Sequence, residues 1–486
     1  MRTYDIVIIG TGPAGLGAAF ELLARRPDLS LLVLDKNEYS SGGLRNDCKM
    51  NFSWPIGFPD CCWSKEQAEA YLARVEAFLE PRILEKRNLS VYARRAEKIG
   101  VSLLEIRQSH LGTDGGLELI KRLVARLSGL GAEISLGERA LSVDARARIL
   151  RTEPVAGRSS ARDAEPPSAN VAERSSARVA ELRSATREIS YRNLVVAPGR
   201  GGFAFLQEIM NEAGVGFTDN AVDVGVRIET RQERYPIVAD YYDPKFLFPK
   251  KTRTFCTNSG AAHVVQEKYE EKDGSAWFSV NGHAWSVAGA SGLAAGASGL
   301  AAGASGLAAG ASGPAARPAN GLVNFAMLKT VTLTEPLASG QAYARMLGIQ
   351  AALLGGGRPI MQRVGDFRLG KRSFRGRFSG DLYDFEPTLA SATPGDVSLC
   401  APAKVMRAIW NAMKLLDTIV PGLLHPSTIM YYPEIKLYAN RPVFIDDYFM
   451  AAPGLYLVGD GAGTSRGITA AWASGLRAAD GILAAR

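Results

Sequence analysis

Apolar residues run unbroken through Ile6-Val-Ile-Ile9, and Tyr4 to Gly10 read as a buried strand. A second apolar run, Leu31-Leu32-Val33-Leu34, closes on Asp35. Ser64-Lys-Glu-Gln67 has the form of a capping box and predicts a helix start, with Tyr71, Leu72, Val75, Phe78 and Leu79 on one helical face. Gly116 to Leu130 reads as an amphipathic helix, Ala132 to Leu136 as a strand, and Asn193 to Ala197 as a buried strand ending at Pro198-Gly199. From Val222 to Glu229 apolar residues alternate with others, which predicts a half-buried strand. An apolar strand at Gly454 to Gly459, followed by a helix, closes the chain.

Two stretches break this texture. Residues 155–187 hold almost no large apolar side chain and repeat Arg-Ser-Ser-Ala-Arg at Arg158 and Arg174, so they cannot join a core. Their flanks, Ala147 to Thr152 and Ile189 to Val196, read as strands, which predicts a loop capping a hairpin. Residues 288–314 repeat Ala-Gly-Ala-Ser-Gly-Leu-Ala. Two glycines per seven residues cost a helix roughly 2 kcal/mol, and one leucine is too thin a seam for a coiled coil, so a linker is expected.

Composition changes this picture little. With 486 residues, 47% hydrophobic and 22% charged, the chain can bury a sizeable core in two or three domains. The net charge of +8 is partly due to the arginine-scattered insertion, so no nucleic-acid partner is expected. No run has the apolar length and side-chain bulk to span a membrane. Strand structure begins by Tyr4, which leaves no room for a secretory leader, and five irregularly spaced cysteines suit a reducing cytoplasm. The four histidines are scattered, and no metal site is expected.

The chemistry lies in the turns. Gly10-Thr11-Gly12-Pro13-Ala14-Gly15 follows a strand and opens a helix. Gly10 permits the tight turn, Gly12 lets backbone approach a pyrophosphate, and Gly15 lets helix and sheet pack closely. Pro13 costs nothing in a first turn whose N–H has no helical acceptor, and the helix N-terminus favours the anion. Asp35, 20 residues beyond Gly15, stands where a carboxylate accepts from an adenosine ribose. Strand, glycines, helix and acid agree in order, which implies a dinucleotide.

The strand and turn at Gly454-Leu-Tyr-Leu-Val-Gly459-Asp460-Gly-Ala-Gly-Thr-Ser-Arg466-Gly467-Ile468 resemble the second FAD motif of the glutathione-reductase superfamily. Ser41-Gly-Gly-Leu-Arg-Asn-Asp47-Cys-Lys49, Gln108-Ser-His110-Leu-Gly-Thr-Asp114, Val222 to Glu229 and Pro433-Glu434-Ile-Lys436-Leu-Tyr-Ala-Asn440 are similar to segments of FAD-dependent dehydrogenases, or NAD(P)/FAD-dependent oxidoreductases, of uncharacterised substrate. The resemblance implies an α/β fold: a Rossmann-like FAD-binding domain of residues 1–50, 100–220 and 441–486, a helical segment 51–99, and an interleaved α+β substrate domain 221–440. It also implies Gly10, Gly12, Pro13, Ala14, Gly15, Asp35, Lys36, Gly43, Leu141, Gly199, Gly459, Asp460, Gly467 and Ile468 as FAD contacts. Pro198 departs from the superfamily's Ala-Thr-Gly pattern and removes an N–H. A disulfide reductase of that superfamily would carry a redox cysteine pair and a second glycine-rich unit for NAD(P)H, and neither is visible. Leu353-Leu-Gly-Gly-Gly357 lacks the strand and the acid, so it reads as a turn.

The expected activity is hydride transfer through flavin N5 to or from a small organic substrate, with an isoprenoid double-bond reductase or a non-catalytic FAD sensor as alternatives. NAD(P)H acting as a diffusible reductant, and reduction by the substrate itself, are both left open, and no partner protein is indicated. No catalytic residue is assigned. Lys49 stands as a cation near the flavin or as a surface ion pair, Cys48 as packing or as a reactive thiol, and His110 and Gln108 as structural or FAD-contacting, with acid–base catalysis as the alternative. Glu434 and Lys436 share one strand face, either lining the substrate pocket or forming an exposed pair. Cys61-Cys62 are expected to be two reduced thiols.

Overall fold

In the computed structural model the first strand is buried throughout its apolar run, Ile6 to Ile9 being at most 6% exposed. Burial on both faces is what a central parallel strand requires. The structure describes residues 2–40, 42–45, 47–155, 186–218, 220–270, 276–285, 287, 317–333, 340–378 and 384–485. Most of the 155–187 and 288–314 insertions lies outside these. The chain divides into two units, residues 1–79, 116–218 and 439–486, and residues 80–115 and 219–438.

The first unit is built on β1 (Arg2–Ile9), α1 (Pro13–Arg25), β2 (Leu31–Asp35), α2 (Lys65–Leu79), β3 (Glu133–Leu136), β4 (Glu138–Asp144), β5 (Ile149–Pro154), β6 (Arg187–Val196), β7 (Leu455–Leu457) and α3 (Ile468–Ala484). Five strands are parallel, in the spatial order β3-β2-β1-β6-β7. The order reverses between β1 and β6, the switch point at which doubly wound sheets bind ligands beyond the strands' carboxyl ends. Strands β4 and β5 add an antiparallel extension, with Leu150 opposite Ile189. The flanks of the first insertion are therefore a paired hairpin.

Both ends of the chain meet in this unit through α1 and α3. A Cβ on Gly475 would lie 2.0 Å from the Ala14 carbonyl oxygen, and one on Gly17 would lie 2.7 Å from that of Trp472. Trp472 is fully buried, stacked on Phe20 with ring centroids 6.2 Å apart and tilted against Phe78 of α2 at 5.1 Å. The capping box forms as expected: Gln67 N donates to Ser64 Oγ, and Ser64 N to Gln67 Oε1, each at 3.2 Å. Residues 51–99 do not form a separate segment. Leu72, Val75 and Leu79 bury the apolar face of α2 in the first unit, whereas Ser102–Leu104 pairs with Lys245–Phe248 and takes residues 80–115 into the second.

The second unit is an eight-stranded sheet, in the order Thr393–Pro394, Ile360–Arg363, Ile429–Lys436, Val222–Arg231, Leu322–Val331, Thr252–Asn258, Lys245–Phe248 and Ser102–Leu104. Val222, Val224, Val226 and Ile228 share a core with Val405, Met406, Ile409, Met413 and Leu416 of helix Ala403–Ile419. The strand expected to be half-buried is buried on both faces. Its polar alternates, Asp223, Arg227 and Glu229, are interior because each is paired there. The Leu353–Gly357 segment is a helix stop: Gly355 N donates to Ala351 O at 2.9 Å and Gly357 N to Ala352 O at 2.8 Å.

Gly475→Ala should lower stability by about 1–3 kcal/mol, because helix backbone cannot step aside for the new methyl. Gly129→Ala, where nothing lies within 4 Å, should be neutral or stabilising. Thermal melting of the two variants measures this, and equal melting temperatures would contradict the packing of α1 on α3.

Candidate dinucleotide site

The turn after β1 is tied from both sides. Gly10 N donates to Leu34 O at 2.7 Å, and a Cβ on Gly10 would lie 2.3 Å from Ala197 O at the end of β6. Its φ of +107° also calls for glycine. A Cβ on Gly15 would sit 1.9 Å from Gly10 O, so helix and strand meet there without a side chain. Gly12 differs, since a Cβ on it would meet only Ser40 Oγ, at 3.7 Å. Pro13 begins α1, and Leu16 N makes the bond to Gly12 O at 2.9 Å. The amides before Leu16, including that of the buried Ala14, have no helical acceptor and give this end its positive character.

Asp35 sits beside the turn with both oxygens engaged. Oδ2 accepts from Thr11 N at 2.9 Å and Thr11 Oγ1 at 2.8 Å, while Oδ1 accepts from Asn37 N at 2.9 Å and Asn37 Nδ2 at 3.3 Å. The carboxylate thus braces the glycine turn against β2. Thr11, within the motif itself, is the partner that spacing alone did not single out. Lys36 and Gly43 are exposed, and Leu141 is 37% exposed at a bulge in β4.

The C-terminal motif lies against this turn. A Cβ on Gly459 would lie 3.1 Å from that of Ala14, and Gly459 has a φ of +82°. Its N–H is shared by Thr464 Oγ1 at 2.9 Å and Ser474 Oγ at 3.1 Å. A Cβ on Gly461 would lie 2.5 Å from Gly199 O, which brings the loop after β6 to the same place. Gly467 caps α3, and Ile468 is buried in its first turn. Asp460 accepts from Ser465 Oγ at 3.0 Å and Gly467 N at 3.2 Å. Burial raises its pKa against the lowering effect of Arg200 and these two donors. At Gly43, Gly199 and Gly467 an added Cβ would meet nothing within 4 Å, so the backbone borders open space as at Gly12.

The other candidates resolve into defined environments. Lys49 Nζ lies 3.1 Å from Asp47 Oδ2, and both side chains are at most 10% exposed, so this is no surface pair. Cys48 is fully buried and burial drives its thiol pKa upward, which fits packing rather than reactivity. Cys61 and Cys62 are free thiols with Sγ atoms 3.8 Å apart, and burial pushes Cys62 up to about 12. In the second unit, Gln108 Nε2 donates to Asp243 O at 3.3 Å, and His110 stacks 4.8 Å from Tyr242.

Glu434 and Lys436 are not an exposed pair. Glu434 is fully buried, receives Arg227 Nη1 on both oxygens at 2.9 and 3.0 Å, and lies 3.0 Å from Lys436 Nζ. Two cations therefore share one carboxylate. Arg227 further donates to Asn324 Oδ1 at 3.0 Å and Cys256 O at 2.6 Å. Nearby, Arg253 bonds Asp223 at 2.6 Å, and Lys245, Arg253 and Lys436 all lie within 6 Å of the Phe255 ring centroid. The alternation of Asp223, Arg227 and Glu229 along one strand was the available signal for this face. No cluster able to hold a metal ion occurs among the described residues, and no helix there is long and apolar enough to cross a membrane.

No protein-family model and no curated protein matches the chain. Among solved structures it is similar to a geranylgeranyl bacteriochlorophyll reductase-like protein from Thermoplasma acidophilum, at 12% identity over 100% of this chain and 79% of that one, with a TM-score of 0.39. A p-nitrophenol 4-monooxygenase from Pseudomonas putida gives 10%, 99%, 78% and 0.35 in the same order. A glycerol-3-phosphate dehydrogenase from Bacillus halodurans, solved with FAD, gives 10%, 100%, 65% and 0.39. Likeness this distant does not bear on the reaction of this chain.

The raised pKa of Asp460 fixes the sign of a pH effect. Below its ordinary value of 3.8 the group is neutral in folded and unfolded chains alike, and above it the folded state resists ionisation, so this contribution to stability falls as pH rises. Asp460→Asn in cofactor-free protein should therefore gain melting temperature over wild type as the pH rises above about 4. A difference independent of pH would contradict the burial of this carboxyl.

Proposed function

We propose that the chain is an FAD-dependent oxidoreductase, with the first unit holding the cofactor and the second the organic substrate. One observation carries this reading: two glycine-rich strand-to-helix turns from opposite ends of the sequence meet at the switch point beside the loop after β6, and backbone borders open space at Gly12 and Gly467 of the turns and at Gly199 of that loop. A mononucleotide needs one such turn. Two turns that touch, each opening a long helix, suit an extended cofactor with a pyrophosphate at one and a flavin at the other. The chemistry of the donors fits as well, because N-terminal amides favour a pyrophosphate and an anionic flavin.

When bound, FAD supplies hydride exchange through its N5 position. The residues of the chain act around it. Gly12 and the first turn of α1 would take the pyrophosphate, and Asp35 would hold the turn that presents them. Asp460 would orient toward the ribityl and pyrophosphate region, its charge moderated by Arg200, while the start of α3 supplies N–H donors. Lys36, Gly43, Leu141, Gly199, Gly467 and Ile468 remain proposed contacts. The interior cations of the second unit, in particular Lys436, suit a substrate that carries a negative group. The five free cysteines agree with a cytoplasmic setting.

The test is anaerobic absorbance of the purified protein across the flavin bands, before and after adding NADH or NADPH and then air. The expected starting spectrum is that of bound oxidised flavin. Bleaching by NAD(P)H establishes a reductase half-reaction, and an unbleached spectrum directs the search to substrate-reduced dehydrogenation. Gly12→Glu should remain folded, because the side chain enters open space, yet lose FAD through clash and charge repulsion. Stoichiometric FAD in that variant would refute this location.

A further inference from the structure

At one edge of the second unit's sheet, Ile360–Arg363 and its parallel neighbour Thr393–Pro394 border a groove of about 660 Å³. That volume falls within the roughly 300–1,000 Å³ of small-ligand sites. Met361, Phe378 and Ala392 supply a buried apolar floor, while Phe374 stands 52% exposed in the wall. Arg358, Arg372 and Arg375 line the rim, all exposed, and Glu386 is the one acid beside them among the described residues. None of the three arginines forms an ion pair among the described residues.

Their loop is held from beneath. Arg363, fully buried, donates through Nε to Arg377 O at 3.0 Å, through Nη2 to Phe385 O at 3.1 Å, and through Nη1 to Ser427 O. Gln362 Nε2 donates to Lys371 O at 2.8 Å, Arg363 N to Ser373 Oγ at 2.9 Å, and Ser373 N to Gly395 O at 3.0 Å. Residues 368 to 378 carry five cations and no acid, and of these Arg377 pairs with Asp366 at 3.8 Å, so the fixed loop concentrates positive charge that Asp366 and Glu386 offset only in part. Three guanidinium forks above an apolar floor match a phosphate-bearing molecule with a flat ring.

We propose that this groove binds an organic phosphate of about nucleoside-diphosphate size, its ring against Phe374 and the Met361–Phe378 floor and its phosphates on Arg358, Arg372 and Arg375. It stands independently of the flavin assignment. Isothermal titration calorimetry of the purified protein with ADP, adenosine and pyrophosphate tests it, alongside the FAD content of each sample. ADP should bind at least about tenfold more tightly than either fragment. The joint substitution Arg372→Gln and Arg375→Gln, at exposed positions, should weaken ADP at least about tenfold without altering FAD content. Phe374→Ala should reduce ADP toward the affinity of pyrophosphate. Repeating the titration on Gly12→Glu, where the glycine turn rejects phosphate, should leave ADP binding intact. The proposal is overturned if ADP binds no better than adenosine, if pyrophosphate binds as well as ADP, if the double substitution changes nothing, or if Gly12→Glu alone abolishes binding.

Discussion

The contact on which the first unit depends is the close crossing of α1 and α3, where Gly475 lies over the Ala14 backbone and Gly17 over that of Trp472. Because no side chain separates the helices there, the strand-to-helix turns at both ends of the sequence are pressed together. The touch between Gly459 and Ala14 follows from it. Each turn alone is a common device, and the helix crossing adds their registration at the carboxyl ends of the parallel strands. The surrounding aromatic packing of Phe20, Phe78 and Trp472 then fixes the crossing by apolar burial and ring contacts, each aromatic pair adding about 0.5–1.5 kcal/mol.

The second unit solves a different problem. Its central strand places Asp223, Arg227 and Glu229 inside, and each charge is met by a specific partner. Arg227 with Glu434 and Lys436 leaves one positive charge in excess within a buried triad. Removing one partner of such a set typically costs about 3–5 kcal/mol, which makes the arrangement a demanding one to keep for architecture alone. Burial also raises the pKa of Glu229, although Thr388 and Tyr431 donate to it. The two faces of this sheet thus divide the work, one apolar against helix Ala403–Ile419 and one polar and charged.

Much of this was legible from local pattern. The glycine turn, the capping box at Ser64, and the strands at Ile6 and Leu31 depend on neighbours in sequence, and each formed as read; the turn read at Leu353–Gly357 proves to be the end of a helix. What pattern could not supply was long-range pairing. The expected half-buried strand at Val222 is buried on both faces because Glu434 lies 207 residues beyond Arg227, a separation that periodicity cannot bridge. The division of residues 51–99 failed likewise, since partners remote in sequence draw the two halves into different units. Asp35 illustrates the remaining gap: spacing marks the acid, but not that Thr11 and Asn37 occupy its two oxygens.

The meeting of α1 with α3 has a consequence for biosynthesis. Gly17 and Gly475 are separated by 458 residues, so at about 5–20 residues per second some 25 to 90 s pass between the emergence of the two helices from the ribosome. Throughout that interval the small-residue face of α1 has no permanent cover, and the nascent chain must protect or tolerate it. Completion of the unit waits until α3 has been translated, and termination before residue 468 leaves a chain in which the glycine turn after β1 lacks the second turn that packs against it.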